Sequence, residues 1–234
     1  NNYNNEDNKW KEHLLKWETN TTKLLMNELV KVEKLRFSWN KNSNGMTPSI
    51  NGKDMTEILH HYEWASIKAS SFYGRTDLIN QAVNKILENI NNKNNNNNNK
   101  NNNFPSINLA LIGKSGSGKT AAMSVIANEI FLYEQKNNKK NPLPIIIRFC
   151  GTSEESNTGI SLMRSIIKQL LYIYQLELPY EHSNNINSND FHIIYKIFEW
   201  SLNVKPSWIF IDSLDQLVDN DLARSEVSFL KNIK

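Results

Sequence analysis

Apolar residues recur along the chain at two different spacings, and the change between them separates predicted helices from predicted strands. From Trp10 to Trp39 they return every three or four positions, which is typical of one helix with an apolar face, or of two helices broken near Asn20. Helical spacing also predicts helices from Thr76 to about Ile90, from Gly159 to Gln175, and up to Leu202 behind an Asp190 cap.

Three short runs are almost continuously apolar, as expected of strands that are buried on both faces. They lie at Ile107–Ile112, Pro144–Cys150 and Trp208–Ile211, and helices separate them. Strands that alternate with helices predict an α/β fold with a three-layer parallel sheet. The expected domain is a P-loop NTPase domain that is incomplete at its C-terminus and follows a helical linker.

Asparagine tracts and turn residues set the predicted boundaries. Asp54–Glu57 has the pattern of a capping box that opens a helix to about Ser70. The tract 91–103 contains only Asn and Lys, which bury too little surface to offset the entropy of ordering. The predicted segments are a disordered 1–9, a helical arm and loop 10–53, a helical linker 54–90, a disordered low-complexity insertion 91–103 and the nucleotide-binding core 104–234.

Charge and residue usage exclude several classes of protein. The net charge is only +3 and no basic stripe with interleaved aromatic residues is visible, which argues against nucleic acid as a partner. Cys150 is the single cysteine, so no internal disulfide forms, and the five histidines lack metal-ligand spacing; we expect His60 and His61 on a helix surface. No apolar run reaches the ~20 residues of a membrane span, and no signal peptide is visible, which predicts a cytoplasmic protein.

A glycine-rich octapeptide lies between a predicted strand and a predicted helix. Its glycines let the backbone curl so that N–H groups surround a polyphosphate, and the next helix adds partial positive charge. Lys119 can reach the β- and γ-phosphates, and the Thr120 hydroxyl can ligate Mg²⁺. The predicted phosphate-binding residues are Gly113, Lys114, Ser115, Gly116, Ser117, Gly118, Lys119 and Thr120.

Asp212 ends the third apolar run, which delivers its carboxylate to the sheet edge where Thr120 is expected. Thr120 and Asp212 are therefore the predicted Mg²⁺ ligands. Many ATPases of this broad class have a glutamate after the magnesium aspartate, whereas Ser213 stands here. Asp215 is the nearest carboxylate that can orient water, and it can equally cap the following segment. We expect slow hydrolysis at most.

These motifs resemble those of the NACHT class of STAND NTPases, in particular the nucleotide domains of NACHT–WD-repeat and nephrocystin-type proteins. The resemblance rests on the octapeptide Gly113–Thr120, on Ile211–Leu217, and on Ile147–Ser153 with the helix that follows it. It covers roughly residues 57–234. Gln216 departs from it, because many NACHT proteins have an acid there.

The resemblance implies an ATP/ADP-dependent signalling switch with Mg²⁺. It places the turn of Tyr73, Gly74 and Arg75 near the adenine; a simple helix–helix turn is the alternative. It also implies that the chain is a fragment of a larger multidomain protein, with further elements beyond Lys234. Other proteins would be bound through those missing domains, and ATP-loaded copies would self-associate.

Two other functions compete with the switch. A conventional turnover ATPase would favour an acid at position 213, and a P-loop kinase would need an arginine-rich lid, which the loops at 134–143 and 179–189 lack. A scaffold without nucleotide chemistry would not need the intact Gly118, Lys119, Thr120 and Asp212.

Overall fold

The computed structural model describes residues 50–96, 109–137 and 142–218, and for residues 89–96 it describes the backbone alone. All of them belong to the second of two units into which the chain divides, Pro48–Lys234. Its elements in chain order are α1 (Gly52–Ser70), α2 (Thr76–Asn96), α3 (Lys119–Asn137), β1 (Ile145–Phe149), α4 (Gly159–Tyr174), α5 (Tyr180–Ser183), α6 (Phe191–Val204) and β2 (Trp208–Asp212).

The two strands pair in parallel, with Ile145 opposite Trp208 and Phe149 opposite Asp212. Side chains of a strand point alternately to its two faces. Ile146 and Ile209 therefore join a hydrophobic cluster with α4 and α6, whereas their neighbours join a second cluster with α2 and α3. Each face of the described sheet thus packs against helices.

Helix α1 packs along the outer edge of β1, the edge that faces away from β2. The Tyr62 hydroxyl donates to the carbonyl of Ile145, and the N–H of Phe149 donates to Nδ1 of His61 at 3.3 Å. Nη1 of Arg148 donates to the Ile147 carbonyl at 2.8 Å. These side chains form hydrogen bonds with backbone groups of β1 that would otherwise be free to pair with another strand. Among the described residues, no strand covers the opposite edge of β2.

The helix α1 begins three residues earlier than predicted, and the predicted capping box at Asp54–Glu57 is wrong. Asn51 is the N-cap, and its side chain accepts a hydrogen bond from the N–H of Asp54 at 2.8 Å. Asp54 instead pairs with Lys168 of α4 at 2.9 Å. Glu57 turns inward, where it is 8 % exposed.

Two other predictions differ from the structure. Residues 109–112 form no strand, and Ile112 is 93 % exposed, so this part of the predicted run 107–112 lacks the strand pairing that would bury it. Helix α2 continues to Asn96, six residues into the tract predicted to be disordered, because its hydrogen-bonded ladder extends past the last apolar residue. The arm 1–49, the rest of that tract and the core beyond residue 218 lie outside the described residues.

Most of the remaining elements follow the predicted pattern, but the short helix α5 lies within the predicted loop 179–189. The helix predicted at 159–175 is α4, the Asp190 cap does open α6, and the strand behind Pro206 is β2. Within the described ranges, none of the helices combines the length and apolar character that crossing a membrane requires.

Candidate functional site

The octapeptide forms a loop that leads directly into α3, and its glycines are needed for its shape. Gly116 and Gly118 have φ angles of +73° and +81°, a region that other residues adopt at a cost. A Cβ at Gly113 would lie 2.9 Å from Oγ of Ser117. The structure therefore gives a reason for each of the three glycines in the octapeptide.

Lys119 begins α3 and folds back over the loop. Its Nζ donates to the carbonyls of Gly113 at 2.9 Å and Lys114 at 3.0 Å. The ammonium group thus lies against the loop at the N-terminus of a 19-residue helix. Both the charge and the helix dipole favour an anion at this position.

Thr120 meets Asp212 although 92 residues separate them. Oγ1 of Thr120 donates to Oδ2 of Asp212 at 2.5 Å, and Oγ of Ser213 lies 3.2 Å from the same oxygen. The structure thus places the two predicted metal ligands side by side. Hydroxyl and carboxylate oxygens suit Mg²⁺, which commonly keeps several waters and needs few protein ligands. The pair therefore fits this ion, although the described residues contain no cluster of three or more His, Cys, Asp or Glu for a metal.

The turn at Tyr73–Arg75 also reaches the octapeptide. Gly74 and Arg75 both have positive φ, +75° and +54°, and Nη1 of Arg75 donates to the carbonyl of Ser117. Tyr73 is 82 % exposed beside it. Arg75 is not a glycine, so its left-handed backbone conformation is strained, and such strain is often found at functional turns. The structure therefore brings Arg75 to the loop and leaves the Tyr73 ring open to solvent.

Asp215 lies on a 3₁₀ turn, Leu214–Gln216, that follows β2 directly. Its side chain is exposed and accepts a hydrogen bond from Nε2 of Gln216 at 3.1 Å. Ser213 adopts φ +58°, so the chain bends sharply after Asp212. Asp215 is therefore beside the site but is not held in it by the contacts described here.

Cys150 follows β1 and is buried next to these carboxylates. Burial, and then the charges of Asp212 and Asp215, raise the pKa of its thiol to about 12. The thiol therefore stays protonated and has little nucleophilic character near neutral pH.

The sequence prediction missed two buried polar residues on α1. His61, expected on the helix surface, is fully buried, and its Nε2 lies 2.8 Å from Oε1 of Glu57. Burial lowers the pKa of His61, so the ring is neutral at pH 7. Burial alone would raise the pKa of Glu57, but hydrogen bonds from His61 and Ser153 bring it below its ordinary value. Their i, i+4 spacing was the signal that could have revealed the pair.

One protein-family comparison gives a match. The family model described as nephrocystin 3, N-terminal, matches residues 82–234, which are 153 of the 234 residues. No curated protein and no solved structure matches the chain. The matched residues include the octapeptide, Asp212 and the whole of both strands, whereas α1 precedes them.

Proposed function

We propose, from the premise that the chain belongs to the nephrocystin 3 N-terminal family, that it binds Mg-ATP and Mg-ADP as a nucleotide-dependent signalling switch of the NACHT/STAND type. The contact between Thr120 and Asp212 carries the proposal. It joins a hydroxyl at the start of α3 to a carboxylate at the end of β2, next to a glycine loop with an ammonium group against it. A P-loop nucleotide site requires phosphate-binding groups and magnesium-binding groups on neighbouring elements.

The proposed fold is a P-loop NTPase domain with a three-layer parallel sheet. Helices already pack on both faces of β1 and β2. The five residues of β2 are only partly buried, whereas all five of β1 are buried, so one side of β2 has room for a further strand. The octapeptide loop reaches that side of β2, because it ties Thr120 to the last residue of β2.

Each side chain has a defined role in this proposal. Lys119 leaves the carbonyls of Gly113 and Lys114 to bind the β- and γ-phosphates, and the loop N–H groups supply further donors. Thr120 and Asp212 hold Mg²⁺, which would neutralise charge on the phosphate oxygens. Arg75 fixes the turn that faces the adenine through its bond to Ser117.

Hydrolysis is slow in this proposal. Ser213 occupies the position after the metal-binding aspartate, and a hydroxyl is a weak base at its ordinary pKa. Asp215 is the candidate that orients water, yet its carboxylate is exposed and engaged by Gln216. A site that binds firmly and turns over slowly suits a switch, since each nucleotide stabilises one arrangement for a long time. Partner proteins and ATP-dependent self-association would follow from the same role.

Titration calorimetry of the chain with Mg-ATP tests the proposal. Lys119→Ala should lower the affinity at least about 10-fold, because hydrogen bonds from a charged group contribute about 1.5–3 kcal/mol. Lys136→Ala is the matched control, since it removes the same side chain from an exposed position in the last turn of α3, at the opposite end of the helix from the loop. Equal affinities for the two variants would contradict the assignment of the phosphate site.

A further inference from the structure

The buried pair on α1 lies at the carboxyl end of β1. The backbone N–H of Phe149 donates to Nδ1 of His61 at 3.3 Å, so that nitrogen carries no proton. The proton of the neutral ring therefore lies on Nε2 and is donated to Oε1 of Glu57 at 2.8 Å. The N–H of Phe149 thus fixes the tautomer of His61 and the orientation of its ring toward Glu57.

The same pair holds the β1–α4 loop, which comprises residues 150–158. Oγ of Ser153 donates to Oε1 of Glu57 at 2.6 Å and lies 2.7 Å from Oγ of Ser156. Ser156 is fully buried, and its carbonyl accepts the N–H of Gly151 at 3.0 Å. Glu57 is consequently a buried contact that holds this loop to α1, and Lys53 of α1 adds a more exposed ion pair to Glu155 of the loop at 2.8 Å.

The other side of the β1–α4 loop contacts the segment that carries Asp212. The N–H of Cys150 donates to the Asp212 carbonyl at 3.0 Å, and the N–H of Val218 donates to the Asn157 carbonyl at 2.8 Å. A Cβ on Gly151 would lie 2.9 Å from Cβ of Gln216. The loop therefore lies between the α1 pair and the chain on both sides of Asp215.

We propose that Glu57 and His61 are positioning residues for the metal-binding carboxylate Asp212. They act through the β1–α4 loop and thereby link the metal site to α1, which lies upstream of the residues matched by the family model. The inference rests on the proposed function, because it assigns these residues to the Mg²⁺ half of that site.

The chemistry of the pair favours positioning over packing. A buried ionised carboxylate costs free energy that an apolar side chain of similar size would avoid. Glu57 recovers that cost through directional bonds to His61 and Ser153, and both partners contact the end of β1 or its loop. Groups that orient a metal ligand from behind commonly use such directed hydrogen bonds.

The test compares nucleotide affinity with and without the metal. Titration calorimetry of the full chain is run with ATP in excess Mg²⁺ and with ATP in EDTA. Glu57→Gln and Ser153→Ala should each lower the affinity for Mg-ATP, by at most the about 10-fold that is usual for groups hydrogen-bonded to a metal ligand, because they reach Asp212 through the loop. Their affinity for ATP in EDTA should stay unchanged. Asp212→Asn gives the reference loss, because it removes the ligand charge itself.

Glu63→Gln is the matched control, since it makes the same change at an exposed position of α1. Equal losses with and without Mg²⁺, or no loss, would overturn the positioning role and leave the proposed function standing. Failure of the unsubstituted chain to bind Mg-ATP would overturn both.

Amide hydrogen exchange of the nucleotide-free chain gives a second readout for the same variants. Faster exchange at Gly151 and Val218 in Glu57→Gln than in Glu63→Gln supports the link from α1 to the Asp212 segment. Unchanged exchange at both amides overturns it.

Discussion

His61 is a single residue whose protonation should change the stability of the protein. The groups around it are Glu57 and His60 on its own helix and Arg148 on β1, and burial has the largest effect in lowering its pKa. Between the folded pKa and about 6.5 the unfolded chain binds the extra proton and the folded chain does not. The stabilisation is therefore present above pH 6.5 and is lost as the pH falls through the folded value.

Urea unfolding at pH 7.5 and pH 5.5 measures this effect. The unsubstituted protein should have a lower free energy of unfolding at pH 5.5. The decrease should be smaller in His61→Asn, because an amide can accept from Phe149 without titrating. His192→Asn changes an exposed histidine and should keep the full decrease. A decrease of the same size in all three proteins would refute the role of His61. The pKa of Glu57 is lowered in the folded protein, so its contribution to the free energy of unfolding is present above about pH 4.5 and is lost only as the pH falls below that value.

At the residue scale, the motifs predicted which residues come together, because P-loop chemistry requires fixed residue types at fixed positions. The structure brings Thr120 to Asp212 and Arg75 to the octapeptide, as the motifs suggested. The sequence did not show which side of α1 faces inward, so it did not separate the buried His61 from the partly exposed His60. Adjacent positions on a helix differ by about 100°, so the side that a polar residue faces depends on which element covers the helix.

At the scale of elements, the turn after β1 depends on one glycine. Gly151 has φ +76°, and any Cβ there meets Gln216 at 2.9 Å. Gly151→Ala should therefore lower the free energy of unfolding by about 1–3 kcal/mol through strain. Gly52→Ala is the matched control, because nothing lies within 4 Å of a Cβ at that helix start. Chemical denaturation measures both, and equal stabilities would contradict the packing described.

Element boundaries were predictable where a residue type fixes them. Asp190 caps α6 through two backbone N–H groups, and Pro206 precedes β2. The start of α1 was missed because both Asn51 and Asp54 suit an N-cap, and only the contact of Asp54 with Lys168 removes it from that role. The strand predicted at 107–112 is missing from the described residues 109–112, because a strand needs a paired neighbour as well as an apolar run, and the sequence pattern does not supply that neighbour.

At the scale of the molecule, α1 belongs to the folded domain although the family match begins after it. It packs on α3, β1 and α4 and buries Ile58 and His61. A chain that begins at Pro48 contains every described element and serves as the reference. A chain that begins at Tyr73 should melt lower and aggregate, because the outer edge of β1 is then exposed. Thermal melting followed by circular dichroism, with size-exclusion chromatography, compares them. Identical behaviour of the two truncated chains would show that α1 is dispensable.

Of the two edges of the described sheet, the edge of β1 is covered by side chains and the edge of β2 is not, so only the β2 edge can accept another strand. Open sheet edges recruit strands, and a particle with two of them can add neighbours without limit. Tyr62, His61 and Arg148 occupy backbone groups along β1, so addition is directed to the side of β2. The proposed fold gives that side to a further strand of the same sheet, so the cover along β1 is what keeps copies of the chain from adding at the described edge. A fibril built from this sheet would require α1 to detach first.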